Sequence, residues 1–343
     1  MTHSYSQTEN VNVVIFENRQ NNPDVIEDTI FRFDRSVLRL LLKDKTTKKN
    51  IVWATSDYES FGSGYEENAE IKPELIAGEH TLLIRPRSSK EKEAQEERTR
   101  VKAEVFTPSW VCNKQNNLVD AQWFGRDIVF NEEMPDGWKT FYGKISFPSE
   151  KKNWKKYVDA QRLEITCGEA PYLVSRYDTV TGEIIPIHDR IGLFDRKMRV
   201  VSENAADDIE WIEWSIRALQ SVFGYEYQGD NLLLARENML FSYVDYYTKR
   251  FSAFPDNTLL RKVANIIAWN LWQMYGMKFV VPNTCHEEET SQITLFGEIT
   301  ETYPCPGCKS GNPYQHNGIY CLIHDWRTKK TVRFVNMMKG AKS

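Results

Sequence analysis

Apolar residues recur every three or four positions across 209–223, 232–247 and 259–275, the period of helices that bury one face. Other stretches carry a different signature. Val11-Asn12-Val13-Val14-Ile15-Phe16 is rich in β-branched residues and predicts a strand, as do the shorter runs Ile51-Val52-Trp53-Ala54, Thr81-Leu82-Leu83-Ile84 and 162–166. Between Ser88 and Lys102 the apolar pattern vanishes into Lys, Glu, Arg and Gln, as in a solvated helix joining two units. A boundary near residue 100 follows, with a small mixed α/β unit before it. Gly62-Ser63-Gly64 reads as a loop and lacks the spacing of a phosphate cradle. Beyond residue 100, strands alternate with helices, which predicts an α/β sheet with its ligand at the carboxyl ends of the strands.

A chain of 343 residues can bury a full α/β core and carry one or two appended units. With 41% hydrophobic and 27% charged residues it has an ordinary soluble composition, and no apolar stretch approaches a membrane span. The polar first ten residues lack the features of a secretory signal, so a cytoplasmic location without membrane partners is expected. The net charge of -4 argues against a nonspecific DNA coat, but basic clusters at 43–49, 151–156 and from Arg327 onward leave room for local DNA contact. A solvated face is the simpler account of any one of these clusters.

Three short segments carry candidate ligand chemistry. Leu163-Glu164-Ile165 is followed by a turn at Gly168, where a doubly wound sheet brings its backbone close to a ligand without a side chain in the way. Phe223-Gly224-Tyr225-Glu226 precedes the helical run from Leu232, and two acids, Glu226 and Asp230, lie in or just after that segment. Upstream, Phe106-Thr107-Pro108 forms a proline-stiffened turn. Together with Ala103-Glu104-Val105 and 163–173, these residues resemble the S-adenosylmethionine-binding elements of adenine-N6 DNA methyltransferases of restriction-modification systems.

The resemblance covers residues 100 to 280 and implies a Rossmann-like methyltransferase sheet. It places Glu164 near the methionine end of the cofactor, Gly168 beneath it, and Phe106, Thr107 and Pro108 over the methionine moiety. Glu226 would accept hydrogen bonds from the ribose hydroxyls. Asn265-Ile266-Ile267-Ala268-Trp269-Asn270 loosely resembles the strand that meets the adenine ring, with Asn270 as partner of its amino group, although a buried helix explains that segment as well. Ile165 stands where proline is usual and Ala170 where a second glycine is common. The separation from Gly168 to Glu226 requires an insertion across 175–222, whose Asp189-Arg190 and Asp195-Arg196-Lys197 could pair with each other or reach DNA. The family's catalytic Asn-Pro-Pro-Tyr is missing; Gly311-Asn312-Pro313-Tyr314-Gln315 looks like it with one proline deleted. No catalytic residue is assigned. The acceptor side, with target recognition, is expected from a second polypeptide.

Four of six cysteines lie in the last sixty residues, and a cytosolic chain uses such clusters as thiols or metal ligands. Cys305-Pro306-Gly307-Cys308 and, after twelve intervening residues, Cys321-Leu322-Ile323-His324 have the spacing of two ligand pairs on a structural zinc knuckle. Cys285, His286 or His316 could replace His324, and reduced thiols without metal are the simple alternative.

These readings give three domains: an α/β unit and linker helix over 1–100, an S-adenosylmethionine-binding domain over 101–282, and a zinc knuckle with basic tail over 283–343. The expected function is the modification subunit of an adenine-N6 DNA methyltransferase, with DNA and a catalytic chain as partners. One rival is a non-catalytic methyltransferase-like module that holds DNA or protein. Another is a nuclease subunit, because Pro135-Asp136 and Glu150-Lys151-Lys152 formally match a Pro-Asp then Glu-x-Lys pattern.

Overall fold

The protein is a mixed α/β molecule with small sheets, seen in a computed structural model that describes residues 27–90, 107–294 and 297–340. The strand expected at 11–16, Phe106 and most of the charged segment after Ser88 lie outside the described residues.

The first described unit is built from α1 (Glu27–Phe33), α2 (Arg35–Leu42) and α3 (Pro73–Ile76). Asp34 starts α2 by accepting from Ser36 N–H at 2.8 Å, and Val37, Leu38, Leu41 and Leu42 form its buried face. The strands expected at 51–54 and 81–84 do not form; Val52 makes one isolated bridge to Glu70. Ala54 and Leu82 sit at φ values of 50° and 69°, a left-handed backbone that interrupts an extended run.

The central part comprises α4 (Ser109–Phe124), the hairpin β1 (Asn131–Met134) and β2 (Gly137–Thr140), α5 (Trp154–Asp159), β3 (Arg162–Glu164), α6 (Leu193–Asn204), α7 (Asp208–Gln220), β4 (Val222–Glu226), α8 (Gly229–Phe251), α9 (Asn257–Asn270) and β5 (Leu271–Gln273). Helix α4 has little amphipathic pattern because it buries polar groups: Arg196 of α6 pairs with Asp120 at 2.6 Å and donates to Asn113 and Asn117. Helix α9 stops at Asn270, five residues before the periodic pattern does, because Leu271, Trp272 and Gln273 are all buried and continue as a strand. Asp195, Arg196 and Lys197 neither pair with one another nor face solvent: Asp195 accepts from Ser175 N–H, and Lys197 donates to Ser221 Oγ. Arg190 pairs with Asp245 at 2.7 Å.

Strands β3, β4 and β5 form a parallel sheet in chain order, with Leu163 beside Phe223 and Tyr225 beside Trp272. The faces differ. Val222 and Leu271 belong to a large core that runs from Ile30 to Leu271, whereas Tyr225 and Trp272 join a smaller cluster with Val281, Cys321, Ile323 and Phe334. The C-terminal elements that supply this second layer are β6 (Glu288–Thr294), β7 (Gly297–Tyr303), α10 (Pro306–Ser310), β8 (Leu322–Asp325), β9 (Lys330–Arg333) and α11 (Phe334–Gly340).

That layer covers β4 and β5 and stops short of β3. Among the described residues β3 has one neighbour, β4, and Leu163 and Ile165 are 45% and 63% exposed. Arg162 N–H donates to Ser221 O, so the next residue, Leu163, turns its N–H and C=O to the open edge. Among the described residues no helix is long and apolar enough to cross a membrane.

Candidate functional site

A cavity of about 950 Å³ opens at the carboxyl ends of the three parallel strands. Thr107, Glu164, Gly168 and Glu226 all line it, although the sequence spreads them over 120 residues. Its size falls within the range of pockets that hold a cofactor or drug-sized molecule. A second cavity, beside Phe241 and Leu260, holds about 20 Å³ and admits no more than one water.

The chain leaves β3 through a left-handed zigzag, with Thr166, Gly168 and Ala170 at φ values of 46°, 52° and 63°. A side chain at Gly168 would meet no atom within 4 Å, so at this point bare backbone faces open space. Ala170 takes the left-handed conformation that glycine would take freely, at a cost of roughly 1–2 kcal/mol, and buries its methyl group completely.

Two carboxylates hold this turn. Glu226 Oε2 accepts from Gly168 N–H at 2.8 Å, and Oε1 accepts from Gln228 N–H at 3.2 Å. Glu164 accepts from the N–H groups of Tyr172 and Leu173 at 3.3 and 3.1 Å. Burial raises the pKa of Glu164 well above the usual carboxylate value, opposed by those two N–H donors and reinforced by the charge of Glu226. Burial likewise raises Glu226, against the N–H groups of Gly168 and Gln228.

The remaining residues named for the cofactor divide. Pro108 caps α4 and does not line the cavity, and Phe106 lies outside the described residues. Asn270 is displaced from the adenine role: it sits where α9 meets the amino end of β5, and its amide donates to Leu219 O and Val222 O at 2.9 and 2.8 Å. Its carbonyl accepts from Trp326 Nε1, so the side chain is committed to structure. The wall on that side is Met274, Tyr275, Gly276 and Met277. Asp230 is buried and accepts from Tyr58 OH at 2.9 Å rather than lining the cavity. Sequence reasoning missed Tyr172, Tyr227, Gln228 and Asn231, which also face it. Aromatic residues just past strand ends were the available signal.

The C-terminal module gathers Cys285, Cys305, Cys308 and His316, with ligand atoms within 4.8 Å of one another, and this group could hold a metal. His316 Nδ1 lies 3.5 Å from the sulfurs of Cys285 and Cys305 and 3.7 Å from that of Cys308. A tetrahedral site with ordinary zinc bonds to sulfur and nitrogen has S···N edges of about 3.6 Å, so the donors fit such an ion. Gly307 makes the close approach feasible, since a Cβ there would lie 2.6 Å from His316 N and 2.7 Å from its ring. Burial would raise the Cys305 thiol, but the N–H of Asn317 and other donors outweigh it and bring the thiol down to about 6.

This ligand set corrects the one expected from spacing. Cys321 is fully buried against Trp272 and Phe334 and its thiol donates to Gln273 O at 3.3 Å. His324 meets Trp326 edge to face with centroids 4.4 Å apart and contacts Thr331 Oγ1. The reason is local: 322–325 is the extended strand β8, so Cys321 and His324 are not the two ends of a tight turn. Cys285 reaches Cys305 because β6 and β7 form an antiparallel hairpin that pairs Glu288 with Tyr303.

The segment 311–315 lies in the loop between Cys308 and His316, with the Tyr314 ring against Phe279, and does not line the cavity. Pro135 and Asp136 form the exposed turn between β1 and β2, and Lys152 donates to Trp123 O. Comparison of the chain with protein-family models, with curated proteins and with solved structures found no match.

Proposed function

We propose that this chain is the S-adenosylmethionine-binding subunit of an adenine-N6 DNA methyltransferase of a restriction-modification system, with a Rossmann-like sheet built from β3, β4 and β5. The observation that carries the reading is the meeting of Thr107, Glu164, Gly168 and Glu226 at one cavity beyond the carboxyl ends of three parallel strands. Bound there, S-adenosylmethionine supplies the methyl group that passes to the adenine amine. Glu226, fixed by two backbone N–H groups, accepts from the ribose hydroxyls with the lone pairs left to it. Glu164 holds the turn after Gly168 in the shape that leaves the cofactor room.

The acceptor base and its binding groups come from another chain in this reading. The side of β3 left uncovered among the described residues supports that division: a ligand crevice in an open α/β sheet lies where the strand order reverses, and β3, β4 and β5 run in one direction without a reversal. The reversal belongs at the edge of β3, which borders the cavity through Leu163 and Ile165. The cysteine–histidine group holds zinc with four protein ligands, a closed site that stabilises structure.

Calorimetric titration of the purified, zinc-loaded chain with S-adenosylmethionine tests the proposal, with micromolar binding expected. Absence of binding by folded protein would overturn it in favour of a non-catalytic module that holds DNA or protein.

A further inference from the structure

The wall of the cavity and the metal group are built from one short stretch of chain. Met274, Tyr275, Gly276 and Met277 face the cavity, and Cys285 is a ligand eight residues later. Between them the backbone folds back on itself: Phe279 N–H and Lys278 N–H donate to Tyr275 O at 2.8 and 2.9 Å, and Tyr275 N–H donates to Val280 O at 2.8 Å. Phe279 takes φ of 60°, a left-handed conformation that a bulky residue holds only when its surroundings impose it. The surroundings here are the segment that follows the ligand His316, since Cys321 N–H donates to Phe279 O and Val281 N–H to Ile319 O.

Lys278 joins the two sites directly. Its Nζ lies 3.2 Å from Cys308 Sγ and 4.9 Å from the centroid of the Tyr275 ring. That ring in turn meets Tyr227 edge to face at 5.4 Å, and both tyrosines line the cavity. Three thiolates and a neutral imidazole around a divalent cation carry a net charge of minus one, so an ammonium is a fitting outer neighbour of the loaded group.

We propose that Lys278 is a positioning residue through which the cysteine–histidine metal group sets the aromatic wall of the cavity. Loading the metal anchors the ammonium on Cys308, the ammonium holds the face of Tyr275, and Tyr275 and Tyr227 together fix one side of the ligand site. The inference rests on the reading that the cavity binds S-adenosylmethionine and the cysteine–histidine group zinc, and it makes the zinc count a condition of tight binding.

The test uses the full chain, zinc-loaded or stripped with chelator, with bound zinc quantified by mass spectrometry. Two readouts are taken: amide hydrogen exchange of peptides spanning 271–281 and affinity for S-adenosylmethionine. Lys278→Met should keep one zinc per chain, accelerate exchange across 274–278 toward that of stripped protein, and weaken binding about two- to thirtyfold, the span expected for loss of a cation–ring contact. Lys278→Arg should restore both. Exchange and affinity equal to wild type in zinc-loaded Lys278→Met would overturn the proposal. Loss of zinc from that variant would overturn it too, by making Lys278 a support of the metal. If the wild-type chain binds no S-adenosylmethionine, the exchange readout still decides the coupling, so the two readings fail separately.

Discussion

Replacing Glu226 with Gln separates ligand recognition from the support of the turn. The amide oxygen of Gln can still accept from Gly168 N–H, now 2.8 Å from the carboxylate, so the turn after β3 keeps that anchor, while the amide NH2 takes the place of Oε1 and leaves Gln228 N–H without its acceptor. What disappears is the negative charge that the proposed function directs at the ribose hydroxyls. A hydrogen bond to a charged group contributes about 1.5–3 kcal/mol, so losing that charge should raise the Kd for S-adenosylmethionine by about 10- to 150-fold. Glu226→Ala should do the same and also loosen the turn, since it leaves Gly168 N–H without its acceptor. Calorimetry gives the affinity, and thermal melting of the unliganded variants gives the structural part. The expected pattern is a large affinity loss in both variants, with the smaller Tm loss for Gln, which gives up one backbone acceptor, and the larger for Ala, which gives up both. Unchanged affinity in Glu226→Gln would refute the ribose role, and equal Tm losses in the two variants would refute the separation.

The raised pKa of Glu226 gives the binding a pH dependence: protonation silences the acceptor, so affinity should fall as pH drops through a value above the ordinary 4.5, and calorimetry on Glu226→Gln should lack this limb. The sign for stability is opposite, because a folded-state pKa above the unfolded one means that the folded chain loses stability as pH rises through it, which urea melts of unliganded wild type and Glu226→Gln would read. Cys308→Ser should lower bound zinc, whereas Cys321→Ser should leave the zinc count at wild type and lower only stability; the reverse result would restore the ligand set expected from spacing. Asp120→Ala strands the buried Arg196 guanidinium and should cost about 3–5 kcal/mol in urea unfolding, and a loss below 1 kcal/mol would show that Asn113 and Asn117 suffice for it.

The helices were legible because their faces are: α7 and α8 form where apolar residues recur with helical period. The strand at 162–164 was legible as the start of a run that ends in β-branched Ile165 and Thr166 before the Gly168 turn, and the tip at Glu226 only through the resemblance to a methyltransferase second strand. Strand β5 was hidden, since a buried strand that follows a helix without a break prolongs its apolar pattern. The failure at 81–84 has another cause: Leu82 takes a left-handed backbone in a local turn closed by Leu83 N–H on His80 O, and leucine carries no sequence mark of that conformation. For the metal group, Cys305 and Cys308 were readable as a pair four residues long. Cys285 and His316 were weighed only as substitutes, because their approach depends on the length of the β6–β7 hairpin rather than on a ligand spacing.

The uncovered edge of β3 also bears on how the chain behaves in solution. Among the described residues, an edge strand that turns the N–H and C=O of Leu163 outward beside two exposed apolar side chains is a template for an extended segment that drifts past, and natural sheets guard such edges with charge, proline or a covering loop. Leu163 and Ile165 provide no such guard. Produced without a companion, the chain is therefore inclined to associate with itself as its concentration rises, and Leu163→Lys would suppress that tendency without touching the core. Solubility thus becomes a gauge of assembly: a companion that seats on β3 would raise it, and one that binds elsewhere would not.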